Sequence, residues 1–333
     1  MRIRLSIFLC FASLFLTGWG HMGPKVKIGF SIDHTKGREP FLAKLREATE
    51  DSHALLILKD AQDDPETQGL QANELIKEGI EVLVVIPCDP AKAGPMVAAA
   101  HIGGIKVISL QRLIPDTDLD YFIDFNKEKA GELQAQAMAE KVSKGRYVFF
   151  EQEKGDPACS ANIQKGRLKA LQSFISRGDI LISDSKFFDP TAGTESSMEN
   201  ILSKDSNKVD AVLTSDPSLA EGAGEALEKA KLSPKISLAG MGDDLPTCRR
   251  IASGTQALTI YEPPHKLAEE TAYLAAKLAR KATEFDCQFV EIPNGHRLVH
   301  AVLLTPMVVN SGNLDSTIIQ DKVQKKEDVY GKR

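Results

Sequence analysis

Residues 78–112, EGIEVLVVIPCDPAKAGPMVAAAHIGGIKVISLQR, constrain the fold more than any other stretch of this 333-residue chain. The run 82–86 is apolar and rich in Val and Ile, and Pro87 opens a loop after it. A helical stretch then reaches about His101, Gly103-Gly104 makes a turn, and a second apolar run follows at 106–110. Unbroken Val/Ile-rich runs are the mark of parallel strands covered on both faces, and two of them joined through a helix make a βαβ unit. In an open parallel sheet the ligand sits beyond the carboxyl ends of the strands. Those ends here carry Pro87-Cys88-Asp89 and Gln111-Arg112.

The same alternation runs through the chain. Residues 25–32 read as the first strand, 33–39 as a polar loop, 40–51 as a helix and 54–58 as the second strand. Asp64 and Pro65 then cap and open a helix through Lys77. The acid cluster around Asp63 and Asp64 lacks the spacing of a calcium loop and is accounted for by capping. After Arg112 come a short strand at 121–125 and a helix at 130–142. A second series follows, with strands at 146–150, 180–183, 211–214 and 235–239 and helices at 162–176, 194–202 and 219–231. A strand at 255–261, a break at Glu262-Pro263-Pro264, a long helix at 265–281 and an apolar segment at 298–309 broken by Pro306 complete it. The expected fold is α/β, with two Rossmann-like lobes of parallel sheet. Residues 311–333 carry little apolar matter and read as a flexible tail.

Composition narrows the function. A net charge of −5 and a sequence pI of about 5.9 give no basic face, so nucleic acid is not an expected partner. Arg2 and Arg4 precede an apolar run at 5–16 and then Thr17-Gly18-Trp19-Gly20, the pattern of an export signal at 1–20 cleaved near Gly20. The run is too short for a bilayer span. Beyond it Cys88, Cys159, Cys248 and Cys287 are scattered and read as buried free thiols. No nucleophile with its base, phosphate loop or metal-ligand spacing stands out. Gly222-Ala223-Gly224 lies inside a helical stretch and reads as helix packing, and His296 and His300 lack metal-site context. The expectation is a binding protein, not an enzyme, with no cofactor and no metal.

The polar residues at strand ends are Arg38, Gln111, Arg112, Asn126, Glu153, Asp216, Asp243, Asp244 and Glu262. Strand ends of two lobes converge on one cleft, and carboxylates, amides and guanidinium forks bond the adjacent hydroxyls of a polyol. Capping and solvated loop charge account equally well for any one of them. Phe41, Phe187, Phe188 and Tyr261 are candidates for an apolar wall or for core.

Four segments carry a resemblance: ETQGLQANELIKEGIEVLVVIP, GIKVISLQRLIPDTDLDYFIDF, EKAGELQA and GTQALTIYEP. With them the chain resembles the type I periplasmic sugar-binding proteins, the xylose-binding members most closely, over about residues 25–310. The resemblance implies two lobes joined by three hinge strands, near 123–126, 261–263 and 304–306. It further implies a periplasmic location, a sugar or polyol enclosed between the lobes, and delivery to an ABC permease. A ligand-closed form docking on a membrane receptor or kinase is the alternative. The lobes would comprise 24–125 with 263–304, and 126–262 with 305–310, in a monomer. Where xylose binders carry Asp-Arg this chain has Gln111-Arg112, and where they carry Asp-Asn after the hinge strand it has Asn126-Lys127. Asp216-Pro217 replaces an Asn-Asp pair, Met241-Gly242 replaces Gln-Asp with Asp243 one position on, and Glu262 stands for a lysine. Of the sugar contacts the resemblance implies, only Arg112 is clearly retained.

Overall fold

The computed structural model describes residues 24–152, 157–188, 193–204 and 208–331. The expected export signal at 1–20 lies outside them, as does Glu153; nothing is described of the side chains of Phe187 and Phe188. Two sheets organise the chain. The first has seven strands: β1 (Val26–Ile32), β2 (Ala54–Asp60), β3 (Val82–Val85), β4 (Lys106–Leu110), β5 (Tyr121–Phe125), β11 (Val290–Pro293) and β12 (Leu298–Leu304). They run in the order β11-β12-β5-β4-β3-β1-β2. The second has β6 (Gly145–Gln152), β7 (Ile180–Phe188), β8 (Ala211–Thr214), β9 (Ser237–Met241), β10 (Leu258–Tyr261) and β13 (Met307–Val309), in the order β13-β10-β9-β8-β6-β7. β11 on β12 and β13 on β10 are antiparallel, and the remaining pairs are parallel.

Helices cover both faces of each sheet because the parallel strands are apolar on both sides. On the first sheet, α1 (Glu39–Asp51) and α9 (Pro264–Ala279) bury Phe41, Leu42, Leu45, Leu267 and Leu274 on one face. α2 (Pro65–Lys77) and α3 (Gly94–Ile102) bury Leu75, Met96 and Val97 on the other. The helix expected after Pro87 is divided: a 3-10 turn spans Pro90–Lys92, and α3 starts anew at Gly94-Pro95. On the second sheet, α6 (Thr194–Lys204) and α7 (Pro217–Lys229) cover one face, and α4 (Lys127–Lys141) and α5 (Pro157–Ser176) the other.

The chain passes between the sheets three times: from β5 into α4, from β10 into α9, and from β12 into β13. The passages lie side by side. Leu304 is in register with Phe125, the Asn126 amide donates to the Leu304 carbonyl at 2.8 Å, and Tyr261 is in register with Met307.

Two expectations are corrected. Residues 311–331 are no loose tail: a π-helical turn at Asp315–Ile319 and α10 (Lys326–Tyr330) pack Leu314, Ile318 and Val329 onto Cys248, Ile251 and Tyr261. No disulfide joins the four cysteines, but Cys248 alone is fully buried; Cys88, Cys159 and Cys287 are half-buried. The structure also adds α8 (Leu245–Ser253), which opens on Asp244 and closes on Gly254 in the left-handed region at φ 81°.

Candidate functional site

The carboxyl ends of both sheets face a cleft of about 330 Å3. The first lobe contributes Arg38, Phe41, Gln111 and Leu267; the second contributes Cys159, Ile163, Ser215, Met241, Gly242 and Asp243. Phe125, Lys127, Ile260 and Glu262 come from the passages between them. Its walls are mixed. Phe41, Phe125, Ile163, Met241, Ile260 and Leu267 are apolar, while Arg38, Gln111, Lys127, Asp243 and Glu262 carry donors and acceptors.

On the first lobe the polar groups are organised by Asp33, which is fully buried at the end of β1. Its Oδ2 accepts from Arg38 Nη2 at 3.0 Å and lies 3.1 Å from Arg112 Nη1. Arg38 Nη1 donates to Gln111 Oε1 at 2.7 Å. Arg38 Nε is buried without a protein partner. Gln111 takes the left-handed conformation, φ 63°, directly after β4, and so turns the chain at the strand end. Arg112 Nη1 also donates to the Pro87 carbonyl at 2.8 Å; Arg112 is tied to the rim and is not among the residues lining the cleft. Asp33, His34 and Asp63 form the one carboxylate-imidazole cluster of metal-site dimensions among the described residues. Its buried carboxylate is already neutralised by two guanidinium groups.

Between the lobes, Lys127 Nζ donates to Glu262 Oε1 and Oε2 at 2.7 and 3.0 Å and lies 3.2 Å from Asp124 Oδ1. Lys127 opens α4, Glu262 follows β10 and Asp124 lies on β5, so one ammonium ties two of the three passages together. Burial pushes the Asp124 carboxyl above its ordinary range, partly opposed by Lys127. Burial works against the charged ammonium of Lys127, but the carboxylates of Asp124 and Glu262 prevail and hold it protonated.

On the second lobe Asp243 follows β9 and lines the cleft. Burial first, then the charges of Asp244 and Glu262, push its carboxyl up to about 6. Beneath Ser215 a buried ion pair joins Glu151 to Arg167. Glu151 is hydrogen-bonded to Ser215, and Arg167 Nε donates to Gln134 Oε1 at 2.7 Å. Gln134 in turn donates to the carbonyls of Thr214 and Gly240. The strand ends of β8 and β9 are thus fixed from below by one polar network.

Of the residues expected at the site, Arg38, Phe41, Gln111, Asp243 and Glu262 line the cleft. Asn126, Asp216 and Asp244 are helix caps: their side-chain oxygens accept from the amides of Lys129, Ser218 and Thr247 at 2.9, 2.8 and 2.7 Å. Tyr261 is fully buried in the cluster with Cys248 and Leu314 and is not among the residues lining the cleft. Asp33, Lys127, Ser215 and Val323 were not among the expected site residues. The signal for Asp33 was its place directly after the first strand, and for Lys127 its place directly after a passage.

The fold is that of a two-lobed protein with one cleft lined from both lobes and from the passages between them. The family model described as periplasmic binding protein domain matches residues 28–283, and this chain belongs to that family, whose members are solute-binding proteins and not enzymes. It is 33% identical to the D-xylose-binding periplasmic protein of Escherichia coli (strain K12), over 99% of this chain and 100% of that protein. It is 32% identical to the D-xylose-binding periplasmic protein of Haemophilus influenzae, with the same coverage. Among solved structures, an ABC transporter solute-binding protein from Clostridium phytofermentans with bound β-D-glucose has the same fold. Its TM-score is 0.74 at 20% identity, covering 91% of this chain and 99% of that one. Among the described residues, no helix is long and apolar enough to cross a membrane.

Proposed function

We propose that this chain is an exported, monomeric receptor that captures a neutral sugar or polyol between its lobes and presents it to an ABC permease. The observation that carries the proposal is the cleft itself: donors and acceptors from both lobes surround apolar side chains in a volume suited to one small molecule. Arg38 and Gln111 on one side and Asp243 on the other offer complementary bonds to neighbouring hydroxyls, and Phe41 and Phe125 offer ring faces to the C–H surface of a sugar. Ligand contacting both lobes stabilises the closed arrangement because the open one cannot make both sets of bonds. Family membership and the names of the relatives support the same class.

Xylose itself is not the proposed ligand. The strand-end residues differ from the xylose-binding pattern at 111, 126–127, 216–217, 241–243 and 262. Arg112 remains, tethered through Nη1 to Pro87 and Asp33, and we assign its other nitrogens to a ligand hydroxyl at the rim. Mass spectrometry of the small molecule released on denaturing purified protein, followed by calorimetry with that compound and with D-xylose, tests the proposal. The expected result is an unmodified sugar or polyol that rebinds more tightly than D-xylose. A chemically altered product, or no affinity for any sugar or polyol, would overturn it.

A further inference from the structure

The C-terminal segment reaches the ligand cleft. Lys322, in the left-handed region at φ 59°, turns the chain between two residues with different tasks. Before it, Asp321 Oδ2 accepts from the Tyr261 hydroxyl at 2.8 Å and lies 3.3 Å from His265 Nδ1. Tyr261 ends β10 in the second sheet, and His265 lies in the first turn of α9, packed on the first. Asp321 therefore touches both ends of the second passage. After the turn, Val323 lines the cleft, and Gln324 Nε2 donates to the backbone carbonyl of Asp243 at 3.0 Å. The segment is anchored from both directions: Leu314, Ile318 and Val329 are buried, and Arg249 Nε donates to the Asp328 carbonyl at 2.9 Å.

We propose that residues 321–324 form a wall of the ligand site, with Val323 limiting ligand size and Gln324 positioning Asp243, so that the C-terminal segment sets specificity. The proposal rests on the reading of the cleft as a sugar site. An aliphatic side chain on the wall selects by shape: removing two methyl groups makes room for a substituent that the native wall opposes. Gln324 acts through another residue. Its bond fixes the backbone of the loop that carries the Asp243 carboxylate, and a carboxylate held in place orders its bonds to hydroxyls before the ligand arrives.

The test is calorimetry of wild type, Val323→Ala, Val323→Phe, Gln324→Ala and the surface control Lys326→Ala against D-xylose, D-glucose and myo-inositol. Circular dichroism and melting temperature establish that each variant is folded. D-Glucose carries one hydroxymethyl group more than D-xylose, so Val323→Ala is expected to raise the glucose-to-xylose affinity ratio about fivefold to tenfold. Val323→Phe is expected to lower it, and Lys326→Ala to leave it unchanged. Gln324→Ala is expected to weaken the tightest of the three about tenfold, and to have no such effect when Asp243 is already Asn. A segment that merely supports the fold would shift all affinities together, leaving the ratio at its wild-type value and the coupling at zero, which overturns the proposal. Failure of wild type to bind these three or any other sugar or polyol overturns the sugar reading beneath it.

Discussion

Asp243 and Lys127 are two charged cleft residues whose environments differ, and the difference predicts opposite behaviour. Asp243 has a carboxyl raised to about 6, so the native protein holds a proton there that the unfolded chain has already released between about pH 4 and 6. Its contribution to ligand-free stability is therefore present at low pH and lost as pH rises through 6. Ligand affinity runs the other way, because only the carboxylate accepts from two hydroxyls. Calorimetry between pH 7.5 and 5 is expected to show affinity falling through pH 6, with Asp243→Asn weak and flat across the range. Lys127 instead neutralises two carboxylates. Lys127→Met leaves both unpaired at about 2 to 3 kcal/mol of stability, and Lys127→Met with Glu262→Gln is expected to recover part of that. Urea unfolding of the two single variants and the double variant measures it. Arg112→Ala removes a charged donor and is expected to weaken ligand about tenfold to hundredfold, read by calorimetry. Unchanged affinity would remove Arg112 from the site.

At the level of elements, the close crossing of α4 and α5 places Ile163 and Cys159 in the cleft. A Cβ on Gly166 would stand 1.9 Å from the Glu128 carbonyl oxygen, and one on Gly131 2.0 Å from that of Ile163. Both obstacles are backbone, so the helices must separate. Gly166→Ala is expected to cost about 1 to 3 kcal/mol by thermal unfolding and to weaken ligand as Ile163 moves. Elements of this kind were legible where the pattern was strong: the runs at 82–86 and 106–110 gave β3 and β4 almost to the residue. The candidate site was half legible for a physical reason. The residue after a parallel strand both faces the cleft and precedes the next helix, so an acid or amide there serves as ligand contact or as N-cap. Asp243 and Glu262 proved to face the cleft, while Asn126, Asp216 and Asp244 cap helices. The C-terminal segment was misjudged because its few apolar residues, Leu314, Ile318 and Val329, form a narrow stripe that buries only against a preformed lobe. α8 escaped notice because its nine residues bury only Thr247, Cys248 and Ile251.

For the whole molecule, the proposed function makes relative lobe motion about the three short passages the expected means of capture. The Lys127–Glu262 pair and the Asn126–Leu304 bond lie on those passages and tie them to one another. Export is a separate claim: protein from a secreting host is expected to begin near His21, and N-terminal sequencing that finds Met1 would refute cleavage near Gly20. The most direct test of the account is amide hydrogen exchange with and without the co-purifying ligand. Enclosure between the lobes predicts slowed exchange in 37–41 and 111–112 of the first lobe, in 215–217 and 241–243 of the second, and in 260–264 between them. Protection confined to one lobe, or outside the cleft altogether, would contradict it.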